Sequence, residues 1–224
     1  IAAGYVAGAD FDTVRYYVRG DSPITSAKDL EGKRVAVVSI GSTPDIALTV
    51  WLSKNGADST KVQRVAVPFA NMSDALMNDQ VDAISLIDTF YRPLESSDNA
   101  SKVRLLFRDR DGLPTDKLFT AYTFSDEYVA ANPDVIRAFV AALKETLAWV
   151  NEHPDEARQV ISKHYNLPME KLAVPGWPKN LCIDPAAAKE WVDALVKVGQ
   201  VEANALPSPT DWMTNKFNPD CAEQ

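Results

Sequence analysis

The sequence predicts an α/β fold, and three observations lead there. Apolar runs rich in β-branched residues alternate with helix-period segments between residues 34 and 90. Those helical segments are suited to crossovers between parallel strands. From Pro133 onward the pattern turns almost wholly helical.

In chain order, residues 1–14 offer one strand at most, and "VRYYVR" (14–19) and "RVAVVS" (34–39) read as strands. Residues 44–54 recur at helical spacing through Ala47, Val50 and Trp51. "VQRVAVPF" (62–69) predicts a strand, "NMSDALMNDQ" (71–80) a short helix and "VDAISLIDTF" (81–90) another strand. Three strands joined by two helices make two βαβ units, hence a parallel sheet with right-handed connections. "VRLLFR" (103–108) and "LFTAYTF" (118–124) are further strands. Residues 133–151 place Ile136, Phe139, Val140, Leu143, Leu147 and Val150 on one helix face, with Asn132 as N-cap and Pro133 in the first turn. Residues 154–165 and 185–198 are two more helices, the last stopped by Gly199. These helices need a second sheet to pack on. No strong strand supplies it, so the expectation is a chain whose first lobe is incomplete, the rest lying upstream of residue 1.

Composition narrows the function classes. The 224 residues are 46% hydrophobic and 24% charged, which is ordinary for a globular protein. A formal net charge of −8 argues against nucleic acid or an anionic membrane surface as the main partner. No apolar run approaches the length of a membrane span, so direct membrane insertion is not expected. Cys182 and Cys221 lack metal or redox spacing. They are either two buried thiols or one disulfide, and the latter would close a loop of roughly forty residues and imply an oxidising compartment. His153 and His164 are isolated, and no GxSxG, HExxH or P-loop pattern occurs. Neither histidine is therefore expected to be catalytic, and no cofactor or metal is expected.

The stretch Ser39-Ile40-Gly41-Ser42-Thr43-Pro44 joins a strand to a helix. In open α/β sheets ligands bind outside the carboxyl ends of the strands. Three such ends are expected to converge: Ser39 to Thr43, Pro68 to Asn71, and Asp88 to Tyr91. Gly41 permits close backbone approach, Thr43 is the expected N-cap, and Pro44 suits the first turn. A helix N-terminus with hydroxyls favours an anion. The candidate ligand contacts are Ser39, Gly41, Ser42, Thr43, Asn71, Asp88, Tyr91 and Trp177, with Phe69 and Phe90 as further apolar wall.

Three segments carry a family resemblance: "SPITSAKDLEGKRVAVVSIGSTPDIALTVWLSKNG", "VDAISLIDTFYRPL" and "DEYVAANPDVIRAFVAALKETLAWVNEHPDEA". In order and spacing they resemble the sulfonate/nitrate/taurine-type solute-binding proteins of ABC transporters. The resemblance runs through most of residues 14–157. It implies a type II periplasmic binding-protein fold of two lobes with parallel-type sheets, closing on a ligand about crossings near Tyr16–Arg19 and Leu118–Tyr122. Residues 1–15 would then be a remnant of lobe 1, 16–120 would be lobe 2, and 121–224 a mostly helical return to lobe 1. Asp88 matches an acidic position of the family, although Thr89 stands where relatives usually carry Pro. The implied role is capture of a small organic anion, sulfonate or carboxylate, for a membrane permease, in the periplasm or outside the cell on an anchor left by a removed leader. A ligand-sensing receptor domain, or an enzyme like the pyrimidine-forming proteins of the same fold, is the alternative.

Overall fold

The alternation read from residues 34–90 folds into one mixed sheet. The computed structural model describes residues 2–3, 12–113, 121–165, 168–169, 172, 180–197, 199, 201–202 and 208–221. Strand β1 (Ala2–Ala3) precedes β2 (Val14–Arg19), β3 (Arg34–Val37) and helix α1 (Thr43–Lys54). Then come β4 (Gln63–Ala66), α2 (Phe69–Met77), β5 (Ala83–Ile87), α3 (Asp88–Glu95), β6 (Val103–Arg108) and β7 (Ala121–Tyr122). Helices α4 (Asp126–Ala131), α5 (Pro133–Glu152), α6 (Pro154–Tyr165), α7 (Pro185–Lys197) and α8 (Pro209–Trp212) follow. Contacts divide the chain into two compact units, one built on Asp12–Pro114 with Lys197–Gln200, the other from the remaining segments.

In the first unit the strand order is β4-β3-β5-β2-β6. The two βαβ units are present: β3 runs parallel to β4 and to β5, with Val35 opposite Ala83 and Ala36 opposite Ile84. The parallel-type sheet expected from the resemblance is, however, mixed. β2 pairs antiparallel with both β5 and β6, so a strand early in the chain is inserted between two late ones. Tyr16–Arg19 lies in β2, bonded on both sides, and contacts begin this unit at Asp12.

Helices cover both faces, so the central strands read as continuous apolar runs. Tyr16 and Tyr17 show the alternation. Tyr17 joins Met72, Leu76, Ile84, Leu86, Tyr91 and Leu94 in the cluster under α2 and α3. On the α1 side, Phe107 stacks on Tyr16 and on Trp51, with ring centroids 3.8 Å apart in each pair. Ser85, wholly buried in β5, is satisfied by donating to the Ala36 carbonyl at 2.9 Å. Helix α1 is buried nearly all round, including Asp45 and Thr49, and not only along its Ala47–Val50–Trp51 stripe.

Two boundaries differ from expectation. The 62–69 strand ends at Ala66 and α2 begins at Phe69. The 81–90 strand ends at Ile87, and Asp88 opens a helix whose buried residues, Tyr91 and Leu94, are three apart. No Gly or Pro separates the apolar run ending at Ile87 from Asp88-Thr89-Phe90, so the sequence carries no break at the change of period.

The second unit centres on α5. Ile136, Val140 and Leu147 are buried on the expected face, and Phe217 from the chain's tail packs on Ile136 and Val140 with Phe139 and Leu143 around it. Asn132 stands at the N-cap position, but its amide donates to Tyr128 O at 3.0 Å instead of capping α5. Cys182 and Cys221 form a disulfide. Beside it, the buried Asn215 side chain accepts from Ile183 N–H and donates to Ile183 O, both at 2.8 Å. Asn218 donates to Asn180 O at 2.7 Å, so two asparagine side chains tie the tail to the 180–183 segment.

Candidate functional site

Because β3, β4 and β5 are parallel and in register, the segments that follow them leave the sheet at one edge. Val67 N–H, just past β4, still bonds to Val37 O at 2.9 Å. This places Ser39–Thr43, Pro68–Asn71 and Asp88 together, as the strand order requires.

The Gly41 turn is built by its own side chains. Gly41 adopts φ +79°, which a side chain would strain. The Ser42 N–H and hydroxyl both donate to Ser39 O, at 3.2 and 2.5 Å. Ser42, not Thr43, is the N-cap residue of α1, and it makes no side-chain cap; its hydroxyl is spent on Ser39. Asp45 is the group that reaches back, its Oδ2 accepting the Gly41 N–H at 2.9 Å. The other oxygen, Oδ1, accepts from Arg64 Nε at 3.0 Å, with both side chains largely buried. A carboxylate of the protein thus holds one backbone donor that the sequence had assigned to a ligand.

Asn71 is exposed in the first turn of α2, its N–H bonded to Pro68 O at 2.9 Å. Asp88 is the first residue of α3; burial raises its carboxyl above the usual range, against the Thr89 N–H and the Arg92 guanidinium. Phe69 and Phe90 stack with centroids 5.6 Å apart, and Ile40 in the turn is 71% exposed. Tyr91 is core: it is 1% exposed, and its hydroxyl donates to Asp12 O at 2.8 Å. Trp177 lies outside the described residues. The edge therefore brings together Ser39, Gly41, Ser42, Thr43, Asn71 and Asp88 with an apolar pair, while the Tyr91 phenol is committed inward.

Sequence reasoning missed a reciprocal clamp at the same edge. Asp12, just before β2, pairs with Arg15 at 2.8 Å, Arg108 at 3.2 Å and Arg110 at 2.7 Å. Asp109, just after β6, accepts from the N–H groups of Thr13 at 3.2 Å and Val14 at 3.1 Å. Each segment thus carries the carboxylate that holds the other. The signal available was three arginines (Arg15, Arg108 and Arg110) and three acids (Asp12, Asp109 and Asp111) around two short strands.

Burial pushes the Asp109 carboxyl from an ordinary 3.8 up to about 6, with Asp12 adding to it and three backbone N–H groups opposing. A raised folded value means that the folded state holds the proton more tightly. Its contribution to stability is complete below the unfolded value and is lost as pH rises through the folded one. Urea denaturation between about pH 4 and pH 7 should show Asp109→Asn flattening this dependence relative to wild type. An unchanged slope would assign the dependence to other groups.

Among the described residues no group of three or more His, Cys, Asp and Glu is placed to hold a metal ion. The model of the family described as NMT1/THI5 like matches residues 8–157. The chain belongs to the NMT1/THI5-like family. A Bacillus subtilis (strain 168) relative named as an aliphatic sulfonates-binding protein is 27% identical over 177 residues, covering 72% of this chain and 50% of its own length. A Brucella abortus (strain 2308) binding protein is 24% identical over 140 residues, 62% of this chain and 42% of its own. This NMT1/THI5-like chain thus spans about half the length of the curated relatives it matches. In fold it matches the periplasmic aliphatic sulphonate binding protein SsuA from Escherichia coli, with TM-score 0.65, 20% identity, and coverage of 91% of this chain and 66% of that one. The fold is that of the periplasmic binding proteins. It is also shared by the desulfurization enzyme DSZB, at TM-score 0.62, 16% identity and coverage of 92% and 75%, so NMT1/THI5-like architecture does not by itself choose between binding and catalysis.

Proposed function

We propose that this chain is the solute-binding component of an ABC importer and captures a small organic sulfonate or carboxylate at the carboxyl edge of its sheet. The observation that carries the reading is one edge with both kinds of contact. Thr43 and the first-turn backbone N–H groups of α1 and α2 supply polar donors, the Gly41 and Ser42 donors being used within the turn itself. The Phe69–Phe90 pair and Ile40 supply an apolar wall for the ligand's carbon skeleton. The sulfonate-binding relative and the likeness in fold to a sulfonate-binding protein support an anionic head. The relatives named as binding proteins favour binding over catalysis, and both cysteines are tied in the disulfide, so neither is a thiolate nucleophile.

In this reading residues 16–120 serve as the second lobe, with 1–15 and 121–224 belonging to the first. The partner is a membrane permease, and the location is periplasmic or extracellular. The disulfide fits such an oxidising compartment, and among the described residues no helix is long and apolar enough to cross a membrane.

Thermal melting against straight-chain alkanesulfonates and the matching carboxylates tests the assignment. A ligand at a hundred times its Kd adds about 2.7 kcal/mol, which for a chain this size raises Tm by roughly 5–10 °C. The expected order places sulfonates with a short apolar chain above methanesulfonate, since only the former reach the phenylalanine pair. Melting curves and calorimetry both silent to every sulfonate and carboxylate would overturn the proposal.

A further inference from the structure

Arg64 projects from β4, an edge strand that is otherwise half exposed. Its side chain is only 14% exposed, and every nitrogen is engaged. Nε donates to Asp45 Oδ1 at 3.0 Å and one terminal nitrogen to Thr49 Oγ1 at 2.9 Å. The other terminal nitrogen donates to the Val62 carbonyl at 2.9 Å and to that of Ser59. Thr49 in turn donates to Asp45 O at 2.9 Å. The cation therefore grips α1 at two points, Asp45 in its first turn and Thr49 one turn further on, and it does so through a planar fork that a lysine cannot reproduce.

Asp45 stands at the end of this chain of contacts. Its second oxygen accepts the Gly41 N–H, and Gly41 is the residue whose positive φ shapes the turn. Without Arg64 the carboxylate would be a buried, unpaired anion within the first turn of the very helix expected to face an anionic ligand. Two consequences follow from the one loss: the turn is released, and the local charge swings negative.

We infer that Arg64 is the positioning residue of the ligand edge, holding Asp45 so that the Gly41 turn is preset and neutralising it so that an anion is admitted. This rests on the proposed function for its ligand, but the positioning half does not. Asp45 itself touches the turn; Arg64 acts through it.

The experiment compares wild type, Arg64→Met, and Asp45→Asn combined with Arg64→Met. The readouts are amide hydrogen exchange at Gly41 without ligand and calorimetric titration with 1-butanesulfonate. Arg64→Met should raise Gly41 exchange and weaken butanesulfonate at least about tenfold. The double variant, in which Asn keeps an acceptor for Gly41 but carries no charge, should recover most of that affinity although it lacks the cation. A merely structural ion pair would show no such recovery, since the double variant restores none of the packing. Unchanged Gly41 exchange in Arg64→Met overturns the inference, as does affinity that falls further in the double variant. If Arg64→Met does not fold, Arg64→Lys carries the test: it keeps the charge but not the fork, so Gly41 exchange should still rise. Wild type that binds neither sulfonates nor the matching carboxylates sinks the proposed function alone, because the Gly41 comparison still reads the positioning.

Discussion

Phe107→Ala is expected to destabilise the α/β unit by about 3–5 kcal/mol. The ring sits in the middle of three: Tyr16 lies on one side with an interplanar angle of 10°, Trp51 on the other at 2°. Phe107 is 3% exposed, and Tyr16 is fully buried. Truncation removes the ring that joins β6 and β2 to α1, so the loss combines transfer of the side chain with a cavity between two rigid aromatic planes. Those planes cannot collapse easily, because the Tyr16 hydroxyl is anchored to the Pro44 carbonyl and Trp51 belongs to a helix buried nearly all round. Phe107→Leu should lose less than half as much, since it retains most of the apolar area. Chemical denaturation followed by tryptophan fluorescence measures both. A loss under about 1 kcal/mol for the alanine variant would show that the site repacks and that the stack contributes little.

The second large effect is loss of the Cys182–Cys221 bond. The cysteines are 39 residues apart in sequence, and closing a loop of that length restricts the unfolded chain by about 4 kcal/mol at 25 °C in the chain-entropy model. The native tail remains clipped by Asn215 and Asn218, so the folded state of a Cys182→Ser, Cys221→Ser protein should change little while its unfolded state gains freedom. The bond lies outside the unit built on Asp12–Pro114. Reductant or the double serine substitution should therefore lower the denaturation midpoint of the α5-centred unit and leave that of the α/β unit where it was. If both midpoints fall together, the units unfold as one and a single two-state stability describes the chain.

How far the fold could be read from sequence depended on distance along the chain. β3, α1, β4, α2 and β5 are consecutive, and each is announced by its own periodicity, so the two βαβ units and their shared carboxyl edge were legible. The α5 face was legible for the same reason: Ile136, Val140 and Leu147 recur at helical spacing. The start of α3 was not, because the apolar run "AISLI" passes into "DTF" with no Gly or Pro between them before Tyr91 and Leu94 reveal the longer period. Nor was the placing of β2 between β5 and β6, since nothing in "VRYYVR" names its neighbours.

The candidate edge divides in the same way. Gly41, Ser42 and Thr43 could be placed at a strand end from local pattern, and so could Asp88. The roles of Asp45 and Tyr91 could not. Asp45 meets Arg64, 19 positions on, and Tyr91 bonds to Asp12, 79 positions back. Both contacts exist only because strands from separate parts of the chain lie side by side.

Local patterning alone was thus enough to establish an α/β chain whose parallel strands share one carboxyl edge, a long amphipathic helix, and a pair of cysteines with one possible partner each. Tertiary structure decided that the sheet is mixed, that those cysteines are bonded, that Asp45 and Arg64 hold the Gly41 turn, and that Asp12 and Asp109 clasp each other's segments. Periodicity is a property of neighbours a few residues apart. Pairing of strands, and of buried charges that must find partners once water is excluded, is settled by the whole chain at once.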